Sequence, residues 1–299
     1  MRPLLVLAVV SALSGCSLKQ YALNNVSDAL ASGGSVFAAD DDPELVRAAA
    51  PFSLKLTESL VAENPCHQRL LVAAARGFTQ YAYAFLQQEA EEIEEQDLAR
   101  STALHERARR LYRRARDYGL RAMSLTHPGI ATELQNDPRR AAARFERADV
   151  ALLYWTAVSW GALIGLSKDS PEALAELPAM EALIDRALEL DESFERGAIH
   201  TFLIGYETAR PGAGADAASR AQKHFARAVE LSAGSEAAPY VALAESVSVA
   251  EQRRDEFERL LRHALAIDVN RHPEHRLANL VSQRRARWLL ARAERLFSE

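Results

Sequence analysis

The residue types that perform chemistry in proteins occur in this chain, but they are rarely grouped. His272 and His275 form a lone His-x-x-His beside Pro273, with no Cys or further His close by. A zinc site needs four protein ligands, or three and a water molecule, so this pair predicts no zinc centre. The histidines at 200, 224 and 263 fall singly on predicted helices, where core and surface positions are both common.

The acidic triplet at 40–42 could supply carboxylates to a cation. Asp42, however, directly precedes Pro43 and Glu44, which is the pattern of an N-cap followed by a favourable first helical turn. No second carboxylate cluster lies at ligand spacing, so the triplet predicts a helix start and no metal site.

Catalytic motifs are missing from the sequence. It contains no Gly-x-Ser-x-Gly, no His-Glu-x-x-His, no phosphate-binding loop and no dinucleotide fingerprint. We therefore predict no cofactor and no enzyme. A periplasmic hydrolase is the open alternative; it requires titratable groups that converge in a cleft, and a cleft with only apolar and aromatic walls would reject it.

The N-terminus has the features of a secretion signal that ends at a cysteine. Arg2 supplies a positive charge, residues 4–13 are a short apolar run, and Leu-Ser-Gly-Cys at 13–16 ends it. About ten apolar residues are too few to cross a bilayer, which needs roughly 20. The ending resembles a bacterial lipobox, which implies cleavage before Cys16 and lipid attachment there; an ordinary signal peptide is the alternative. Ser17 is similar to the residue that follows the cysteine in lipoproteins at the periplasmic face of the outer membrane.

The composition favours a globular, helical chain. Of 299 residues 48% are hydrophobic and 26% charged, and Gly (13) and Pro (11) are scarce. The net charge of −5 argues against nucleic acid as a partner, because phosphate-binding domains normally carry a basic face. Two cysteines cannot form a disulfide framework. With Cys16 lipidated, Cys66 has no partner, and we predict that it is a small buried residue.

One helical signature occurs three times between Met180 and Asp268. Each copy places apolar residues at its first and fifth positions and alanine at its eighth, namely Ala187, Ala228 and Ala264. These positions share a helix face, and the alanine allows a neighbouring helix to approach closely. The alanines are 36 to 41 residues apart, near the roughly 34-residue period of tetratricopeptide (TPR) repeats.

These patterns predict an all-α fold, a TPR-like stack of about four antiparallel helix pairs. Extra helices precede the stack, and a capping helix at 276–297 ends it. The predicted divisions are a lipoprotein signal peptide at 1–15, a lipidated N-terminus with a short helix at 16–42, and a single helical domain at 43–299. In the helix at 43–63 the candidate core residues are Leu45, Leu54, Leu56 and Leu60.

Three charged segments are predicted to face solvent. The acidic run at 89–95 is predicted to be a solvated helix end, and the arginines at 284–295 a polar outer face of the capping helix. The helix predicted at 98–123 is basic at Arg107, Arg109, Arg110, Arg113, Arg114 and Arg116. Arginines on an exposed face usually only solvate it, although a docking face for an acidic partner remains open.

Several segments resemble one known family, the TPR lipoproteins associated with TRAP transporters (TatT-like, the T component). The specific matches are Gly34–Leu45, Pro51–Leu60 and Gly77–Phe85. Tyr154 and Trp155 with Trp160, the 221–231 signature and Arg276–Leu280 match as well.

The resemblance implies a periplasmic lipoprotein of helical hairpins, similar to a homotrimer with a cleft or pore through each subunit. It also implies association with the solute-binding protein of a tripartite ATP-independent periplasmic transporter and transfer of hydrophobic ligands. From the residues themselves, the candidates for lining a cleft are aromatic: Phe78, Tyr81, Tyr83, Tyr154, Trp155 and Trp160. Their alternative role is core packing. A scaffold that recruits envelope proteins without a small molecule is the alternative function.

Overall fold

The computed structural model describes residues 27–28 and 34–297 of the chain. The signal peptide predicted at 1–15 and the lipidation site predicted at Cys16 lie outside these residues. Across the described residues every regular element is a helix, which confirms the predicted all-α class.

The N-terminal part of the fold is a set of helices of different lengths joined by short turns. They are α1 (Gly34–Ala38), α2 (Pro43–Glu63), α3 (Gln68–Tyr81), α4 (Gln88–Ile93) and α5 (Leu98–Thr126). A π-helical segment, Ala82–Gln87, joins α3 to α4 without a break. Two short helices follow, α6 (Ile130–Asn136) and α7 (Pro138–Ala142).

The remainder of the chain continues as pairs of helices. They are α8 (Val150–Gly165), α9 (Pro171–Ala175), α10 (Leu177–Leu190), α11 (Ala198–Ala209), α12 (Ala217–Leu231), α13 (Ala238–Leu243), α14 (Arg254–Ala266), α15 (Arg276–Ala291) and α16 (Ala293–Leu296). A second π-helical segment, Ala244–Ser248, extends α13.

Local sequence signals explain where the first long helices begin. Asp42 Oδ1 accepts hydrogen bonds from the backbone N–H groups of Glu44 and Leu45, both at 3.0 Å, and Pro43 is the first helical residue. This confirms the predicted helix start. Pro51 lies inside α2, where a proline is expected to kink or split a helix, but the helix runs unbroken to Glu63.

Four helix pairs pack along the chain in the predicted order: α3 with α5, α8 with α10, α11 with α12, and α13 with α14. The signature alanines Ala187, Ala228 and Ala264 are completely buried. A side chain no larger than a methyl group at these positions lets the paired helix come close, as the spacing predicted.

Three predictions about burial are wrong. Leu45 and Leu56 are exposed, because they lie on the face of α2 that points away from α3, and only Leu54 of the proposed set is fully buried. Cys66 is a free, exposed cysteine in the turn between α2 and α3. A turn residue lacks the second layer of helices that would be needed to cover it.

The most apolar helix is α8, which lies in the centre of the fold. Residues Arg147–Gly165 are long and apolar enough to cross a membrane by composition, but most of this stretch is buried inside the protein. Leu153, Ala157 and Trp160 belong to the central hydrophobic cluster. An apolar helix covered by other helices is the expected core element of a helical protein.

Candidate functional site: a cleft between the first hairpin and the C-terminal half

The C-terminal helix returns to the first hairpin, so the chain closes on itself. Glu91 pairs with Arg285 at 2.6 Å and Glu92 with Arg284 at 2.5 Å. Glu95 pairs with both Arg292 and Arg295. We call these seven residues the seam.

The seam corrects two predictions. The acidic run at 89–95 is not simply a solvated helix end, and the arginines of α15 and α16 are not simply an outer polar face. Arg287 alone among the named arginines of this helix is both exposed and without an ion pair in the described part of the chain. The two segments neutralise each other across about 190 residues of sequence.

A second contact between the halves starts from the middle of α3. Arg76 Nη1 lies 3.8 Å from Glu195 Oε1, and its guanidinium lies 5.6 Å from the centre of the Trp155 ring. Glu195 and Arg196 have positive φ angles of 41° and 58°, and Gly197 follows at 91°. Non-glycine residues in this region carry strain, which is often found at binding sites.

Arg196 carries the contact on into the C-terminal half. It donates to the carbonyl oxygen of Ser232 at 2.6 Å and to Ser235 Oγ at 2.7 Å. It also lies 3.6 Å from Glu236 Oε1, which lies 3.5 Å from His275 Nδ1. The strained turn therefore directs one charged side chain towards α3 and the next towards the start of α13.

A candidate cleft lies between these two contacts. Arg76, Gln80 and Tyr83 follow one another at spacings of four and three, so they share one face of α3 and its π-helical extension. Arg76 meets Glu195 at one end of this stripe, and Tyr83 lies close to Glu245 and Arg285 at the other. Gln80, between them, is exposed. Its exposure shows that the C-terminal half does not cover the middle of the stripe.

The environment of Tyr83 is that of a cleft wall. The side chain is 48% exposed, yet surrounding protein raises the pKa of its hydroxyl, with a smaller contribution from the Glu245 carboxylate. A tyrosine on a convex surface would not be desolvated by surrounding protein, and a tyrosine in the core would not be exposed to solvent.

The other five aromatic candidates are buried. Phe78, Tyr81, Tyr154, Trp155 and Trp160 are each at most 8% exposed. Trp160 Nε1 donates to Glu176 Oε2 at 2.6 Å, and Tyr154 packs edge-on against Trp155. The structure thus places Tyr83 on the accessible wall, leaves Trp155 beneath Arg76, and gives the others core contacts.

The polar wall residues Arg76 and Gln80 were missed by sequence reasoning. They fall at helical spacing with Tyr83, and this signal is present in the sequence. It predicts the polar face of an amphipathic helix, and such a face normally meets bulk solvent. Only the position of the C-terminal half makes it the wall of a cleft.

Two partly desolvated carboxyl groups, those of Glu195 and Glu236, occupy the Glu195 end of the cleft. Burial raises the pKa of Glu195. Burial raises the pKa of Glu236 to about 7, with Arg196 opposing and Glu274 and Glu195 adding to the rise. Burial and Arg196 lower the pKa of His275. This end of the cleft can therefore change its charge near neutral pH.

Glu236→Gln should change the pH dependence of stability. The pKa of Glu236 is about 7 in the folded protein against an ordinary value of 4.5, so the folded state binds more protons between these pH values. The free energy of unfolding of the wild type should then fall as pH rises through this window. The neutral Gln side chain removes this loss, and we expect a gain of up to about 3 kcal/mol at pH 8 with little change at pH 4.

Urea unfolding at pH 4, 6 and 8 measures this effect. Glu94→Gln is the control, since Glu94 is exposed, and it should leave the free energy of unfolding unchanged at each pH. If wild type and Glu236→Gln lost stability in parallel from pH 4 to pH 8, the assigned role of Glu236 would be wrong.

The titratable groups in the cleft bear on the hydrolase alternative. The walls of the cleft carry charged as well as aromatic side chains. The criterion of purely apolar and aromatic walls therefore does not exclude a hydrolase. In residues 27–28 and 34–297, however, no hydrogen bond joins a Ser, Thr or Cys side chain to a histidine ring. A hydrolase with a histidine-activated Ser, Thr or Cys nucleophile is built on such a bond.

The fold and the cleft together define a class: an all-α protein of helix pairs whose ends close around an accessible, charged cleft. The family model described as TRAP transporter T-component matches residues 39–297, and the chain belongs to this family. The chain is also similar to an uncharacterized protein of Treponema pallidum (strain Nichols). The two are 30% identical over 305 residues, which cover 95% of this chain and 94% of that protein.

Family membership confirms the resemblance found in the sequence. It supports an accessory role in TRAP transport and a location in the cell envelope. The family is described by a transport role and not by a catalytic one.

Proposed function

We propose that this protein is a periplasm-facing lipoprotein that assists a tripartite ATP-independent periplasmic transporter. It binds the solute-binding subunit of the transporter and holds a small molecule in the cleft between its first hairpin and its C-terminal half. The single observation that carries the proposal is the family match across residues 39–297. The lipobox-like sequence ending at Cys16 supports an anchor at the periplasmic face of the outer membrane.

The cleft wall suggests the chemistry of the ligand. The resemblance to the family implies a hydrophobic ligand, and Tyr83 offers an aromatic surface to such a molecule. Arg76 and Gln80 lie on the same wall, and Arg285 is close to Tyr83 at the far end. Because an apolar molecule would remove these polar side chains from water without offering them hydrogen bonds, we propose a ligand with an apolar body and a polar end.

Partner binding tests the first half of the proposal. The mature protein, purified in detergent, is mixed with the solute-binding subunit and analysed by size-exclusion chromatography with light scattering. Co-elution is the expected result. The first half fails if the two proteins elute separately at every ionic strength tried.

Blocking the cleft tests the second half. Gln80→Trp places an indole at the exposed middle of the wall and is expected to reduce the molecule retained in native mass spectrometry by about tenfold or more, since it fills the space a ligand needs. Gln222→Trp is the matched control, because Gln222 is also an exposed helical glutamine but lies on α12. Binding of the solute-binding subunit should be unchanged in both variants.

The alternative function is a scaffold that recruits envelope proteins without a small molecule. One observation favours it: five of the six candidate aromatic residues are buried, so little apolar surface lines the cleft. The scaffold predicts that the wild type retains no molecule while it still binds its protein partner. Retention by wild type and loss in Gln80→Trp would exclude the scaffold.

A further inference from the structure

The outward face of α2 carries apolar side chains that no described part of the chain covers. Leu45, Phe52 and Leu56 are 57%, 75% and 41% exposed. Spacings of seven and four place them on one helix face. An exposed Phe beside two Leu residues is unusual on a solvated surface and typical of the centre of an interface.

The outward face of α5 carries arginines without partners. Arg107, Arg110 and Arg113 are exposed, and within the described residues no hydrogen bond or ion pair joins their side chains to another group. Their neighbours differ, since Arg109 pairs with Glu106 at 2.7 Å and Arg114 with Glu58 at 3.3 Å. In a chain of net charge −5 this strip is locally positive.

The two faces lie on helices that touch at Glu58. Glu58 of α2 accepts a hydrogen bond from Tyr118 of α5 at 2.9 Å and pairs with Arg114, so it lies at about the level of residue 116. Short turns make both α2 and α5 antiparallel to α3, so they run parallel to each other. At about 1.5 Å per residue, Phe52 therefore lies at the level of Arg110. Both side chains are exposed.

We propose that this composite surface, Leu45, Phe52 and Leu56 with Arg107, Arg110 and Arg113, docks an acidic protein surface. This inference rests on the proposed function, and the partner is the solute-binding subunit of the transporter. The arginines bind carboxylates, and Phe52 fills an apolar depression between them. Arginine and aromatic residues are the types most enriched at the centres of protein interfaces, and arginine binds carboxylates with two parallel hydrogen bonds.

Charge favours a protein over other occupants. Glu106, Glu58 and Asp117 lie among the arginines, and they would face the phosphates of an anionic membrane unfavourably. In a two-fold dimer through this face, the positive strip of one copy would meet that of the other. A protein partner can match the alternating charges individually.

The test compares two triple variants with the same change in charge. The first variant, Arg107→Glu/Arg110→Glu/Arg113→Glu, reverses the charge of the strip. The second, Arg259→Glu/Arg271→Glu/Arg287→Glu, reverses the charge of three exposed arginines on α14, the following loop and α15. Affinity for the solute-binding subunit is measured by titration calorimetry in 50 and 200 mM NaCl. We expect the first triple to weaken binding by about a hundredfold and Phe52→Ala by about tenfold. The second triple should stay within about threefold of wild type.

The wild-type affinity should fall with added salt, and the first triple should lose most of that dependence. Equal losses in the two triples would mean that only net charge matters, and they would overturn the assignment. Two other results would also overturn it. If Phe52→Ala abolished self-association of the protein in sedimentation velocity, the face would belong to a second copy of the chain. If the first triple lost binding to phosphatidylglycerol vesicles and still bound the subunit, the face would belong to a membrane. If the wild type itself does not bind the subunit, the proposed function falls and this docking surface falls with it.

Discussion

Gly119→Ala is expected to lower the free energy of unfolding by about 1–3 kcal/mol, although alanine is the better helix former. Gly119 lies on the buried face of α5 where α8 crosses it. A Cβ atom at this position would lie 2.1 Å from Thr156 Oγ1 and 2.9 Å from Thr156 Cβ. Thr156 is fully buried, and its hydroxyl already donates to the carbonyl oxygen of Leu152 at 2.6 Å. It cannot rotate away without losing that bond, so the helices must separate.

Gly205→Ala is the matched control for this prediction. Gly205 is also inside a helix, but a Cβ there would meet no atom within 4 Å. This variant should be as stable as wild type or more stable by up to about 1 kcal/mol. Thr156→Ala should recover part of the loss when combined with Gly119→Ala, because it removes the closest atom. Urea unfolding measures all three, and a Gly119→Ala protein as stable as Gly205→Ala would refute the close approach.

Arg285→Ala is expected to cost about 2–3 kcal/mol and to loosen the closure of the chain. The Arg285 side chain is 8% exposed, and it pairs with Glu91 and with Glu245. Its guanidinium also lies 4.3 Å from the centre of the Trp288 ring. Its removal leaves two carboxylates without their cation at the far end of the cleft. The loss should be somewhat smaller than the roughly 3–5 kcal/mol of a fully buried pair, because both glutamates retain some contact with water.

Arg287→Ala separates this effect from a general loss of charge on α15. Arg287 is exposed two residues away, and its removal should change the free energy of unfolding by no more than about 0.5 kcal/mol. Hydrogen exchange should locate the damage in Arg285→Ala, with faster exchange in 88–95 and 284–295 and little change around Ala187. If the two variants unfolded at the same urea concentration, the seam would not hold the halves together.

Local patterns predicted the helices well, because their signals lie within a few residues of each boundary. Asp42 followed by Pro43 predicts the start of α2 without knowledge of the rest of the fold. The alanines at 187, 228 and 264 predict close helix pairing in the same way, and each is completely buried. Hydrophobic periodicity predicts which face of a helix is buried when the helix packs against only one other helix.

The cleft and the seam depend on contacts that no local pattern records. Glu92 and Arg284 each read as solvent-facing within their own helices, and only the closed fold brings them to 2.5 Å. Leu45 and Leu56 show the reverse error, because they were predicted to be buried and are exposed. An apolar side chain indicates burial, but it does not identify the neighbour that would bury it. Five of the six aromatic candidates are core residues because aromatic side chains at helical spacing serve packing first.

The two π-helical segments should tolerate a substitution better than the deletion of a residue. Tyr83 and Glu245 each lie within one of them, and they approach each other across the cleft. A π turn holds about one residue more than an α turn, so it rotates every following side chain by about 100° around the helix axis. Single-codon deletions in either segment would therefore redirect the whole remainder of that helix. Over evolution, substitutions here can be absorbed one at a time, whereas a lost residue changes all later contacts of the helix at once.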